Sequence, residues 1–310
     1  MKKRIVRSAA AALSAVLLCA GGLCACKTLH DLPELPWPEE SVTDEANTDN
    51  MIIHVTGDDH APEKEPVVPG STPYTGDVHV GTDIYYVGSG ENRDYIIAID
   101  PGHQVRGNSD KEPVGPGSDQ TQAKVSYGTT GTFTGDYEFD LNLKVAIVLR
   151  DELIRRGYSV VMIRETNQVD VSNVERAQIA NRHNASALVR IHANGWTDEA
   201  TNGAMTVCQT EKNPYPDCVA VYKESRLLSE CILEAYCAST GIARYSLWET
   251  DTKAGTNWSK VPSTILEMGF MTNRGDDEKM ATLQFKVDAA RGIADGLDNY
   301  FARLAEEKEQ

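Results

Sequence analysis

Two histidines stand at the ends of apolar runs that read as buried strands, His103 in IAIDPGHQ and His192 in VRIHANG. One other histidine lies beyond residue 92; it is His183, late in a helical pattern, where the polarity of a helix end accounts for it. Two imidazoles brought to one mouth of a sheet point to a shared metal. Zinc takes imidazole nitrogen at about 2.0–2.1 Å, often adds one carboxylate and keeps a fourth position for water. Glu138, opening a helical stretch after a loop rich in glycine and threonine, is the best carboxylate for that set. It has a simpler use too, since an acidic residue in a first helical turn stabilises the helix dipole by roughly 0.3–1 kcal/mol. A second carboxylate, Glu267, sits in the otherwise apolar run STILEMGF, where an ionisable group costs stability unless it is paired or put to use. Facing a metal, it would carry a proton from an activated water to a leaving nitrogen. Facing away, it would make a strand-end salt bridge, with Arg190 as one partner.

Other chemistries find less support. No HExxH occurs, so the helical zinc-protease signature is absent, and no GxSxG marks a nucleophilic serine. The cysteines after residue 26 are Cys208, Cys218, Cys231 and Cys237, without a CxxC pair, which argues against a cysteine zinc site. Cys208 and Cys218 could close a short disulfide loop in an oxidising compartment, whereas Cys231 and Cys237 read as small hydrophobes.

The elements that must position these groups alternate. Tyr95–Asp100 reads as a strand ending at Pro101-Gly102. Glu138–Arg156 reads as a helix: Leu141, Val145, Leu149 and Leu153 form one stripe, acids open it, arginines close it and Gly157 stops it. Strands follow at Tyr158–Ile163, Ser186–Ile191, Gly203–Gln209 and Ser263–Met268, with helices at Val171–His183, Val219–Ala238 and about Asp276–Leu304. This order predicts an α/β fold, a mainly parallel sheet with helices on both faces, in a single catalytic domain over residues 93–310. Ligands in such sheets sit beyond the carboxyl ends of the strands, where both histidines fall. The thirty-four residues between His103 and Glu138 read as a loop over the groove that shapes substrate access.

The remainder of the 310-residue chain differs in kind. Residues 1–25 combine a basic start (Lys2, Lys3, Arg4, Arg7) with an apolar run from Ala9 to Ala25, the layout of a secretory signal peptide. Its end, Leu23-Cys24-Ala25-Cys26, resembles a bacterial lipoprotein box, with Cys26 as the lipidated residue and the outer face of the cell membrane as the destination; cell wall or periplasm is the alternative. Residues 26–92 hold seven of thirteen prolines and fourteen acidic side chains against two lysines, so most of this stretch reads as a solvated tether. Val78–Val87 alternates enough to add a strand or hairpin at the domain edge. The net charge of −16, or −20 once the four leader cations are removed, excludes a general nucleic-acid binder.

Residues 95–104 (YIIAIDPGHQ), 137–166 (YEFDLNLKVAIVLRDELIRRGYSVVMIRET), 187–195 (ALVRIHANG) and 261–273 (VPSTILEMGFMTN) together resemble the zinc-dependent N-acetylmuramoyl-L-alanine amidases of the amidase-3 type. Arg176 with Ala180-Asn181, and Gly203-Ala204, also fall where that family has similar residues, and the likeness runs from about Asp94 to Arg303. The resemblance implies hydrolysis of the amide between N-acetylmuramic acid and L-alanine in peptidoglycan. It implies Zn2+ on His103, Glu138 and His192, with Glu267 as catalytic acid/base. Asn142, one turn past Glu138, matches a family position and either supports a ligand or is a helix-surface amide; Arg190 and Asn194 flank His192 with their roles open. Two other functions stay in view: a zinc peptidase of wall peptides, and a non-catalytic homologue that only binds the wall.

Overall fold

The computed structural model describes residues 81–89 and 93–309, and the proposed leader, Cys26 and most of the acidic stretch lie outside the described residues. Among the described residues, no helix is long and apolar enough to cross a membrane.

In chain order the elements are β1 (Thr82–Tyr86), β2 (Ile96–Pro101), β3 (Asn108–Pro113), β4 (Thr121–Val125), α1 (Glu138–Arg155), β5 (Ser159–Arg164), α2 (Asn173–Arg182), β6 (Ala187–Asn194), β7 (Ala204–Cys208), α3 (Pro216–Ala220), α4 (Tyr222–Thr240), β8 (Arg244–Glu249), α5 (Ala254–Asn257), β9 (Ser263–Phe270), α6 (Arg274–Met280) and α7 (Leu283–Glu309). Seven strands form one sheet in the order β1-β5-β2-β6-β9-β7-β8. β5, β2, β6 and β9 run parallel, as does the β7–β8 pair; β1 against β5 and β7 against β9 are antiparallel. The expected mainly parallel α/β sheet is therefore the observed one.

Side-chain alternation explains why the sheet is covered twice. Ile97, Ile99, Val160, Met162, Val189 and Ile191 point into a core shared with α1, α4 and α7. Ala98, Val161, Ile163 and Leu188, the intervening residues, pack with Ile179 and Ala180 of α2 on the opposite face. Neighbouring side chains on a strand point to opposite faces, so strands covered on both sides must be apolar at every position. The stripe Leu141, Val145, Leu149 and Leu153 is buried along α1 as its spacing requires. Ser172 and Glu175 start α2 with a reciprocal capping box.

Two expectations need correction and one is met. First, the region between His103 and Glu138 is not simply a loop: β3 and β4 form a separate antiparallel pair. That hairpin is anchored where the indole nitrogen of Trp258 donates to the Pro113 carbonyl at 3.0 Å and the Asn257 amide donates to that of Val114 at 3.0 Å. The strand expected within Val78–Val87 is met by β1, so the sheet begins before residue 93. β1 lies inside the acidic Pro-rich stretch, and Asp83 there meets His183 at 2.6 Å and Arg182 at 2.9 Å, while Tyr85 stacks on the His183 ring. The helix-end histidine thus clamps an edge strand. Second, the long closing helix is two helices, α6 and α7. β8 completes the sheet at a position without a strand expectation. Among the described residues the four cysteines are free thiols, so Cys208 and Cys218 form no bridge, and the Cys218 thiol instead reaches the Thr256 carbonyl.

Candidate metal centre

β2 ends at Pro101 and delivers His103 one residue beyond a turn at Gly102. β6 carries His192 near its carboxyl end, and β9 places Glu267 in register beside it. Glu138 is the first residue of α1. These four positions, far apart along the chain, meet in one place.

Glu138 is fully buried, and its Oε1 lies 3.0 Å from Nε2 of His103 and 3.3 Å from Nδ1 of His192. The two imidazole nitrogens are 3.0 Å apart. For metal bonds of about 2.0–2.1 Å, the edges of a tetrahedron are about 3.3–3.4 Å, close to this triangle. Two imidazoles and a carboxylate form a donor set suited to zinc. Within it His103 donates from Nδ1 to the Ser126 carbonyl at 3.0 Å, which turns its Nε2 lone pair toward Glu138 and His192.

Each of these side chains is held from behind. The Asn142 amide donates to Glu138 Oε1 at 3.2 Å and to the Gly102 carbonyl at 3.3 Å. Backbone N–H groups of Ala193 and Thr129 donate to the two Glu138 oxygens at 3.1 and 2.9 Å. Gly102 and Gly128 have to lack side chains: a Cβ would sit 2.2 Å from the His192 ring at the first and 2.6 Å from a Glu138 oxygen at the second. Asn142 thus braces Glu138 and is not a helix-surface amide, while Asn194 lines the pocket and its amide points at the Met205 sulfur.

His103 adopts φ +61°, a left-handed conformation that costs a non-glycine residue on the order of 1–3 kcal/mol. Two buried arginines hold it there. Arg164 donates to the carbonyls of Pro101 and Gly102 and, with the same guanidinium, to Phe139 beside Glu138, at 2.8 to 2.9 Å. Arg176 donates to the carbonyls of Pro101 and His103 at 2.8 and 3.0 Å and to Asp100 Oδ1 at 2.7 Å. Arg190 takes the other Asp100 oxygen at 2.7 Å and Asn173 at 2.8 Å. Burial would raise the Asp100 carboxyl, but the charges of Arg176 and Arg190 outweigh it and hold it well below the usual range. The suggested Arg190–Glu267 bridge is therefore not the observed pairing: Arg190 is committed to Asp100. Arg164 went unnoticed in the sequence, although a charged residue closing the run SVVMIR is the same signal that singled out Glu267.

Glu267 is partly exposed in a pocket that it shares with His103, His192, Asn194, Trp248 and Lys253. Burial, and then the negative charge of Glu138, push its carboxyl up to about 8, against the pull of Lys253. In the same pocket burial pushes His192 down to about 4. For His103 the ion pair with Glu138 wins over burial and raises it; for Glu138 the imidazoles likewise win and lower it. A protonatable carboxyl beside a nitrogen–carboxylate cluster is the equipment of a metal-assisted hydrolase.

The family model of the N-acetylmuramoyl-L-alanine amidases, amidase-3 type, matches residues 97–299. The chain belongs to that family and is a peptidoglycan-degrading amidase, a hydrolase. A sporulation-specific N-acetylmuramoyl-L-alanine amidase of Bacillus subtilis is 30% identical over 209 residues, 66% of this chain and 68% of its own. The uncharacterized B. subtilis protein YqiI is 28% identical over 167 residues, 54% of this chain and 76% of its own. The crystal structure of an N-acetylmuramoyl-L-alanine amidase from Clostridium difficile 630 superposes with a TM-score of 0.54 at 25% identity, covering 67% of this chain and 97% of that one.

Proposed function

We propose that His103, Glu138 and His192 hold one zinc ion and that Glu267 is the proton carrier of the amide hydrolysis. The observation that carries this is the convergence of three donor atoms 3.0–3.3 Å apart beside a raised carboxyl. Bound zinc supplies Lewis-acid polarisation of the scissile carbonyl and lowers the pKa of water from 15.7 to about 7. Positive charge in the site draws Glu267 back toward its ionised form. Glu267 then takes a proton as water adds to the lactyl carbonyl and returns it to the departing nitrogen, leaving the muramic acid carboxylate and the amino terminus of L-alanine. Asn142 and Ser126 keep the donor atoms aimed, and Arg164 and Arg176 keep the His103 turn in its strained shape.

Mass spectrometry of muropeptides after digestion tests the reading. New L-alanine amino termini with intact muramic acid are expected, and a chelator should prevent them. Cuts within the stem peptide would instead mark a wall peptidase. Glu267→Gln should lower turnover by roughly 10²–10⁴-fold while metal content is retained. His103→Ala or His192→Ala should lose metal and activity together; a Glu267→Gln variant with most of its rate would refute the acid/base role.

The peptidoglycan substrate puts the action outside the cytoplasm. The leader and Leu23-Cys24-Ala25-Cys26 support the further reading that the chain is a lipoprotein anchored through Cys26. Globomycin should then leave a larger precursor, and an unchanged band would end that idea.

A further inference from the structure

Asn194 lines the pocket at 5% exposure, two residues past His192 on β6. Its side-chain oxygen accepts the Gly195 N–H at 2.8 Å. That bond fixes which way the amide faces, because turning it over would set two donors against each other. The NH2 group is therefore on the side of Met205, whose sulfur lies 3.6 Å from Nδ2 and is its partner. A thioether is a weak acceptor. Around that sulfur Met205, Val207 and Ile265 form an apolar cluster, which offers the amide nothing better. A buried donor in such a setting costs free energy until an oxygen reaches it, and the proton transfer assigned to Glu267 does not use it.

The register of the sheet indicates which oxygen that is. His192 of β6 pairs with Glu267 of β9, and Glu267 pairs with Met205 of β7. Directly paired residues share a face, so the three side chains form a row, and all three line the pocket. Glu267, in the middle, is the group that returns a proton to the departing nitrogen. With the scissile carbonyl at the His192 end and the nitrogen at Glu267, the L-alanine that follows the nitrogen lies toward Met205. Its own carbonyl oxygen is the first acceptor on that side.

We propose that the Asn194 amide donates a hydrogen bond to the carbonyl oxygen of the substrate's L-alanine, in place of its contact with the Met205 sulfur. This rests on the reading of Glu267 as proton carrier and adds how the leaving side of the substrate is held. Every stem peptide has this carbonyl, so the contact positions the alanine without selecting among the residues that follow it.

Calorimetry with ligands that are not turned over tests the contact. Two free stem tripeptides starting with L-alanine are titrated into the full chain in zinc-containing buffer. They differ only between the first and second residues, where one has an ordinary peptide bond and the other a trans-alkene. The ordinary peptide should bind about tenfold tighter. Asn194→Asp keeps an acceptor for the Gly195 N–H but has no donor, and it should bring the two affinities within about twofold. Both peptides carry the same charge, so the new carboxylate acts on each alike. Asn194→Ala should also remove the preference. Equal binding by the unaltered chain, or no binding of the ordinary peptide, would overturn the proposal, and so would a preference that survives in Asn194→Asp. Should Asn194→Ala not fold, Asn194→Asp still decides. A wrong assignment of Glu267 would show separately, as a Glu267→Gln variant that keeps its rate whatever the binding ratio.

Discussion

The central strands are built differently at their two ends. Along most of their length β2, β5, β6 and β9 carry apolar side chains with almost no exposure, such as Ile97, Ala98, Ile99, Val160, Val161, Leu188, Val189 and Leu266. At their carboxyl ends the same strands turn to Asp100, Arg164, Arg190, His192 and Glu267. Asp100, Arg164 and Arg176 are as buried as the apolar residues. One end is held by packing that any well-shaped hydrocarbon could supply. The other depends on specific donors meeting specific acceptors, because a buried charge without its partner is costly. The polar end gives up stability to hold His103 at a positive φ and to keep a carboxylate dry between two imidazoles. The apolar end makes that loss tolerable.

The sharpest way to break this contrast is at Arg176. Arg176→Met should destabilise the chain by about 3–5 kcal/mol, since Asp100 would be left half-paired. It should also weaken metal binding, measured by zinc titration of the folded fraction, because the His103 carbonyl loses its anchor. Arg176→Lys should recover part of the stability and less of the metal affinity, as one ammonium cannot reproduce the forked contacts.

The converse change is Leu149→Ala in the apolar layer. A loss of about 2–5 kcal/mol in denaturant unfolding is expected, with zinc affinity unchanged at temperatures well below the transition. A fall in affinity as large as that of Arg176→Met would show that the two ends are not separable.

Asn142→Ala probes the polar end without removing a charge. Zinc affinity should drop about 10–100-fold, with a smaller change in thermal stability.

The last effect is in pH. A carboxyl whose folded-state pKa is raised binds more protons in the folded chain than in the unfolded one, so its contribution to stability falls as pH rises through that window. For Glu267 the window runs from the ordinary 4.5 to about 8. The stability of the metal-free chain, measured against Glu267→Gln, should therefore decline from pH 4.5 to 8. A flat difference would mean that Glu267 is better solvated than its setting implies.

Much of the scaffold was legible because its signals are local. The α1 stripe, the acids and arginines at its ends and the continuous apolar runs of β2 and β9 depend only on period and on which residues a buried strand tolerates. Both histidines could be placed at strand ends for the same reason. β8 was less legible: its residues Arg244–Glu249 are all exposed or half-exposed, so no buried run announced it. β3 was missed because Asn108–Pro113 is polar and takes its order from contacts to Trp258 and α2, more than 60 residues away.

The alternation of the main strands and helices, the family likeness and the residue types able to bind metal or carry a proton were determined by the sequence alone, since these follow from composition and spacing. The tertiary structure decided the pairings: that Glu138 faces two imidazoles, that Arg190 belongs to Asp100 and not to Glu267, and that Arg164 joins the His103 turn to the start of α1. Such choices turn on distances of about 3 Å between groups remote in the chain, and hydrogen bonds lose their strength within a few tenths of an ångström of that value.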